Sequence, residues 1–235
     1  VKNTAIGYQT LVENTVADNN TAVGFQALKL SNKTGSEPVL SDNTAVGAVS
    51  SSQVTTGVQN TSLGAYALAQ TVDSDSNTAL GYYACGAGDI ANNGITAVGA
   101  YSLAENVAGQ KNTALGFQSG NVLTSGSQNT IVGYDADTDD NAATNQTVIG
   151  SEVTGVADNS VTLGNASVTA VYAASDSGAI VHCAGLGDGT DTLIALDTSN
   201  NVKINGAGVQ DTGNPGWTFV AGNSNQGSIL EHACG

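Results

Sequence analysis

The sequence predicts an all-β fold, in which a parallel β-solenoid of about ten coils is followed by a small C-terminal β domain. Three observations lead to this fold class. A motif whose commonest form is Asn-Thr-Ala-x-Gly recurs along most of the chain at nearly constant spacing, and the residue before each motif glycine is always Ile, Val or Leu. No segment between two of these glycines holds the ten or so periodic apolar residues that a helix needs. Repeats of this kind are typical of solenoids.

The repeat region is expected to span residues 1–170, and the C-terminal domain residues 171–235. Successive motif glycines are 17, 23, 17, 17, 18, 17, 17, 17 and 14 residues apart. The one long step contains "SNKTGSEP" at 31–38, which we interpret as a loop insertion. The motif glycines are Gly7, Gly24, Gly47, Gly64, Gly81, Gly99, Gly116, Gly133, Gly150 and Gly164.

Each coil is predicted to contain two short strands and two turns. The β-branched residues before the glycine favour a strand, and the Asn- and Asp-rich segments favour turns. The glycine is expected either where the chain turns with a positive φ or where two backbones approach closely.

The motif usually opens with an asparagine. In stacked coils these side chains would lie above one another at about 4.8 Å, a spacing at which side-chain amides can form a hydrogen-bonded ladder. The asparagines are Asn3, Asn20, Asn43, Asn60, Asn77, Asn112 and Asn129.

The apolar positions predict a thin core. Leu11, Leu28, Leu68 and Leu103 share a slot four residues after the glycine, and Cys85 occupies the same slot as a small buried hydrophobe. Three or four modest apolar side chains per coil give little burial against the entropy of ordering 17 residues. We therefore expect solenoids to pack on one another through the small motif alanines, and an isolated chain to be marginally stable. These alanines are Ala5, Ala22, Ala45, Ala79, Ala97 and Ala114.

Charge excludes two classes of partner. Five Lys and no Arg stand against 20 Asp plus Glu, for a net charge of −15. Nucleic acid and anionic lipid surfaces both require clustered basic residues, so neither is expected as a partner. No stretch of 18 apolar residues occurs, so membrane insertion is not expected either.

An acidic segment, "DADTDDN" at 135–141, is the candidate metal site. Asp135, Asp137 and Asp139 alternate along it, as carboxylates in calcium loops often do. The segment lacks the glycine and the terminal glutamate of an EF-hand, and a solvated acidic turn is the alternative interpretation. Calcium is the one cofactor that the sequence suggests.

The C-terminal residues are expected to form about five strands joined by Gly-, Asp- and Asn-rich turns. The irregular turns at 185–191 and 208–216 resemble binding loops on a rigid scaffold, and capping of the solenoid's strand edges is the alternative role. Trp217 is interpreted as a core residue, with a sugar platform as the alternative. The expected receptor-binding residues are Trp217, Asp188, Asp191 and Asp211.

Cys183 and Cys234 are candidates for an extracellular disulfide, while His182 and His232 lie in apolar runs and are interpreted as structural. The spacing of these cysteines and histidines matches no strong zinc pattern.

Catalysis has little support in the sequence. No nucleophile motif occurs. The turn residues Asp73 and Asp75 could supply the carboxylate pair of a glycan hydrolase, but acidic turns are common. A non-enzymatic protein is therefore expected.

Two groups of motifs resemble known families. The copy "NSVTLGNAS" (159–167) resembles the Ser-Val-Ala-Ile-Gly head repeat of trimeric autotransporter adhesins, at that family's common 14-residue step. The "NTAxG" copies resemble a variant found in bacteriophage tail fibres, and "LIALDTSNNVKING" (193–206) resembles a stretch common in those fibres. Most copies depart from the adhesin pattern in having Thr where that family has Val, and in the 17-residue step.

The resemblance implies left-handed parallel β-rolls associated as a homotrimer. It leads us to expect a phage tail-fibre segment that attaches to a receptor on a host cell surface. The expected receptor is a glycan, and the expected location is the virion or an extracellular surface. A bacterial trimeric surface adhesin, a tail-spike glycan hydrolase and a purely structural extracellular filament are the alternatives. Because the chain reaches a full motif two residues after Val1, we expect it to be a piece of a longer protein.

Overall fold

The structure, a computed structural model, describes residues 2–31, 39–87 and 93–171, together with the backbone of two strands at 217–220 and 229–232. The chain divides into two compact units, Val1–Val171 and Tyr172–Gly235. The described residues contain β-strands and turns and no helix.

Ten three-residue strands of the first unit form one parallel sheet. Each strand pairs with the strand one coil further along, with the motif threonines in register, as Thr61 is with Thr78. The ten strands are linked by nine turns of the chain, which confirms the prediction of a parallel β-solenoid. The strands of the first unit are β1 (Thr4–Ile6), β2 (Ala17–Asp18), β3 (Thr21–Val23), β4 (Val39–Leu40), β5 (Thr44–Val46), β6 (Thr61–Leu63), β7 (Thr78–Leu80), β8 (Thr96–Val98), β9 (Thr113–Leu115), β10 (Thr130–Val132), β11 (Thr147–Ile149) and β12 (Val161–Leu163).

The expectation of a second strand in every coil is wrong. Outside the main sheet, the described part of the first unit has one two-residue strand pair, β2 with β4, and two isolated bridges. The reason is backbone conformation after the glycine. Tyr66 and Leu68, two and four residues after Gly64, have φ of 60° and 49°, and alternating left-handed residues form turns in place of a strand.

From the second coil onwards the motif alanines face the interior of the coil, because neighbouring residues of a strand point to opposite sides, whereas Ala5 in the first coil is exposed. Ala22, Ala45 and Ala97 are completely buried, together with Leu28 and Leu68 of the leucine slot. The expectation that the alanines form contacts between solenoids is therefore wrong for these buried alanines. The motif Thr and the aliphatic residue before the glycine face outwards instead.

Both expectations for the motif glycines are confirmed. The first nine have φ between 134° and 146°, and Gly164 has a φ of 78°. The first nine also lie against the next coil, as a Cβ placed on Gly81 would be 2.5 Å from the carbonyl oxygen of Gly99, whereas the atoms nearest to a Cβ on Gly164 belong to Val168.

The asparagines of neighbouring coils are hydrogen-bonded in series, as predicted, but mainly between the side chain of one and the backbone of the next rather than between side-chain amides. The Oδ1 atom of Asn60 accepts a hydrogen bond from the N–H of Asn77 at 3.0 Å, and its Nδ2 donates to the carbonyl of Ser74 at 2.7 Å. The N–H of Asn60 donates in turn to Oδ1 of Asn43 at 2.9 Å. Ile95 takes the asparagine position in the sixth coil, where it is buried.

In the second unit, β13 (Trp217–Val220) pairs with β14 (Ile229–His232) in an antiparallel arrangement. Trp217 lies opposite His232 in the register of this pair.

Candidate interaction surface

A column of aliphatic side chains runs along the outer face of the main sheet. It consists of the residue before each motif glycine, the third residue of every strand. Six of its members are 41–61% exposed. These six are Ile6, Leu63, Leu80, Leu115, Ile149 and Leu163.

A second column, of aromatic rings, follows the glycine and so lies beside the first. From Tyr66 the rings contact one another coil by coil as far as Tyr134, with centroids 5.3–6.3 Å apart. Tyr8 and Phe25 stack separately, at 5.9 Å. Seven rings are 38–69% exposed, namely Tyr8, Phe25, Tyr66, Tyr82, Tyr101, Phe117 and Tyr134.

We call the aliphatic and aromatic columns together the apolar stripe. No residue directly before or directly after a motif glycine is charged. Seven half-exposed rings alone present roughly 700 Å² of surface. The largest apolar patch on a typical monomer is about 300–600 Å², and larger patches mark interaction surfaces.

The three acidic residues of the candidate calcium site have different surroundings. Asp137 is partly buried and accepts hydrogen bonds from the N–H groups of Val122 at 2.9 Å and Thr138 at 3.1 Å. Burial raises the pKa of Asp137 to about 6, against the lowering effect of these two hydrogen bonds, and the nearby Asp135 raises it further. Asp139 is exposed and accepts a hydrogen bond from Gln146 Nε2.

Within the part of the chain that the structure describes, no group of three or more His, Cys, Asp or Glu side chains is arranged to hold a metal ion. Calcium binding at 135–141 stays a prediction.

The turn residues Asp73 and Asp75 bridge neighbouring coils. Asp73 Oδ1 accepts hydrogen bonds from the hydroxyls of Thr55 and Thr56 at 2.9 and 2.7 Å, and these bonds, that from Thr56 most strongly, lower the pKa of Asp73. Asp75 Oδ1 accepts a hydrogen bond from the N–H of Val58 at 2.8 Å. Both carboxylates thus contribute to the turns that join adjacent coils.

Cys85 is fully buried in the leucine slot, as predicted, and burial raises the pKa of its thiol to about 12. A thiol in this environment stays protonated and unreactive at neutral pH.

The candidate residues His182, Cys183, Asp188, Asp191, Asp211 and Cys234 lie outside the described residues. Trp217 and His232 lie within described strands, and only the backbone of these strands is described.

Sequence reasoning missed the outward direction of the aliphatic column, although alternation within the motif could have shown it. In a three-residue strand, either the first and third residues or the second alone must face inwards. The middle residue of the strand faces inwards whether it is small, like Ala79, or large, like Ile131 and Val148, and the aliphatic residue that follows it faces outwards.

No helix in the described ranges is able to cross a membrane. No protein-family model, curated protein or solved structure matches this chain.

Proposed function

We propose that this chain is a non-enzymatic segment of a homotrimeric fibre, part of a phage tail fibre that attaches to a host cell surface. The proposal combines the motif resemblance with the apolar stripe, and the stripe is the observation that carries it. The left-handed sense of the coils and the number three come from the resemblance.

The stripe supports association because its aliphatic column repeats on every coil from Ile6 to Leu163. A standard protein interface buries about 800 Å² on each partner, which is close to the area that the exposed rings alone present. Packing of the stripes of neighbouring copies would remove this surface from water over the length of the solenoid.

The modest interior of each coil also favours assembly. Besides a completely or nearly buried alanine such as Ala79 or Ala97, a coil buries one leucine-slot residue and few other apolar side chains. Burial of the stripe between chains would add the apolar area that a single chain lacks.

Receptor binding is assigned to residues 171–235, with Trp217, Asp188, Asp191 and Asp211 as the proposed contacts and a glycan as the proposed receptor. In a trimer each contact is present three times, so weak individual sites can hold a cell surface by avidity. The copy at 159–167 favours one second candidate, a bacterial trimeric surface adhesin, because its sequence and 14-residue step match the adhesin repeat best.

Attachment is tested by replacing residues 171–235 with a foreign trimeric cap and measuring adsorption to host cells. We expect the replacement to abolish adsorption while the solenoid stays folded by circular dichroism. Adsorption that survives the replacement would place the receptor site on the solenoid and contradict the assignment. A glycan-degradation assay on the intact chain tests the non-enzymatic claim, and release of reducing ends would contradict it.

A further inference from the structure

The interior of the solenoid changes between the third coil, which contains Gly47, and the fourth, which contains Gly64. Among the described residues, the buried apolar side chains form two separate clusters that meet at this boundary. The first cluster consists of Leu11, Ala22, Ala27, Leu28, Ala45 and Val54. The second begins at Ala67 and continues to Val153.

Three buried serines lie between the clusters. Ser51 takes the leucine slot of the third coil, and Ser62 takes the inward alanine position of the fourth. Ser62 Oγ is 2.6 Å from Ser50 Oγ and 2.8 Å from Ser51 Oγ. Hydroxyls that bond one another satisfy their own polarity, but they give less apolar contact than a leucine on an alanine.

The aromatic column is interrupted at the same place. Phe25 in the second coil contacts Tyr8, and the continuous series of ring contacts begins again at Tyr66 in the fourth. Ala48 and Val49 occupy the two ring positions of the third coil. At the boundary, serine hydroxyls thus replace the leucine–alanine contact inside the coil, and the ring contacts are missing outside it.

Polar and backbone contacts do cross the boundary. Thr44 pairs with Thr61 in the main sheet, and the N–H of Asn60 donates to Oδ1 of Asn43. In a repeat protein, stability is approximately a sum of terms for each unit and for each interface between neighbours. One interface that is weaker than the others divides such an array into separate cooperative units.

We propose that the solenoid consists of two cooperative blocks, the first three coils and the later coils, and that the first three coils open without unfolding the later ones. The first three coils are the weaker block because Leu28 and Val54 are their only completely buried large apolar side chains among the described residues. The later coils have seven large, almost completely buried aliphatic side chains, Leu68, Ile95, Leu103, Leu123, Ile131, Val148 and Val153. This inference goes beyond the proposed function and does not depend on the number of chains in the assembly.

Native-state hydrogen exchange of the intact chain at low denaturant concentrations tests the proposal. Probes for the first three coils are the N–H groups of Gly24 and Gly47, which donate hydrogen bonds to the carbonyls of Ile6 and Val23. Probes for the later coils are the corresponding N–H groups of Gly99 and Gly116. We expect protection factors at least tenfold lower in the first three coils. Equal protection and one common opening for all four amides would overturn the proposal.

A double variant, Ser51→Leu with Ser62→Ala, supplies the residues that these positions hold in other coils. We expect it to raise the protection of Gly24 and Gly47 towards that of Gly99. The matched control is Ser102→Ala with Ser119→Ala, which removes a buried serine pair, with Oγ atoms 3.0 Å apart, inside the later coils. If the control changes Gly24 and Gly47 as the first variant does, the boundary is not the weak interface. If the first variant does not fold, the wild-type exchange decides the proposal.

Discussion

Gly81 and Gly94 both have a positive φ, but only Gly81 lies against the backbone of the next coil. At Gly81, φ is 139° and an added Cβ would be 2.5 Å from the Gly99 carbonyl oxygen. At Gly94, φ is 69° and the nearest atoms to an added Cβ belong to Lys111, at 3.8 Å or more. Substitution of these two glycines by alanine therefore separates the free-energy cost of a left-handed backbone from the cost of close packing against the next coil.

We expect Gly94→Ala to lower the free energy of unfolding by about 1–2 kcal/mol, the cost of a left-handed residue with a Cβ. Gly81→Ala should cost more than about 3 kcal/mol, because its coil must also move away from the next. Denaturant unfolding of the two variants measures the difference. Equal losses would show that close approach of the coils does not constrain the motif glycine.

Asp137 makes the stability of its coil depend on pH. Its pKa is raised to about 6 from an ordinary value of 3.8, so the folded chain favours the protonated form. The stabilising contribution of this group is full below pH 3.8 and is lost as the pH rises through 6.

We therefore expect Asp137→Asn to be more stable than the wild type at pH 7.5 and to lose that advantage at pH 4. Urea midpoints at the two pH values measure this change, and the exposed Glu152→Gln variant controls for the loss of one negative charge. An advantage for Asp137→Asn that does not change with pH would contradict the assignment of burial as the cause.

At the scale of the structural element, the asparagine ladder holds one coil to the next. The buried Asn60 satisfies a backbone N–H of the following coil and a carbonyl of a turn, and Asn43 and Asn129 do the same. Removal of the side chain leaves both backbone groups buried without this partner, and each such loss costs about 1–3 kcal/mol.

Asn60→Ala should thus lower the free energy of unfolding by about 2–4 kcal/mol. Gln53→Ala, a loss of the same amide on the exposed surface of the third coil, should change it by less than about 0.5 kcal/mol. Differential denaturation of the two variants is the measurement, and similar losses would contradict a structural role for the ladder.

The strands were predictable because the motif repeats with its glycine at the same place in every coil. Thr61–Leu63 and its counterparts could be identified from sequence, as could the buried leucine slot and the positive φ of Gly81. The left-handed φ of Leu68 was not predictable, because a leucine disfavours it and only the stacked coils enforce it.

The outward direction of the strand's third residue was not predictable either. Ala79 and Leu80 are both apolar, so composition alone does not say which of them faces the interior. The stacking of the coils decides, because it buries the middle residue of the strand, Ala79 here and Ile131 in a later coil, and leaves Leu80 41% exposed. The apolar stripe, the main candidate site, follows from this orientation of the strand.

At the scale of the whole molecule, charge and the apolar stripe act in opposite directions. Chains with a net charge of −15 repel one another, whereas the uncharged stripe favours association. Salt screens the repulsion and leaves the apolar contact in place. We expect the assembly to tighten as NaCl is raised from about 0.05 to 0.5 M, measured as a lower dissociation constant, and weakening over that range would point to a salt-bridged interface.

Sedimentation equilibrium of the intact chain tests the central claim, that the apolar stripe joins copies of this chain, most directly. We compare the wild type with Leu80→Lys/Leu115→Lys, which places charges on two exposed stripe positions, and with Gln53→Lys/Gln110→Lys, which places them on exposed turns. At micromolar concentration the wild type and the turn variant should sediment as three chains, and the stripe variant as fewer. A folded wild-type monomer, or a stripe variant that assembles as well as the turn variant, would contradict the claim.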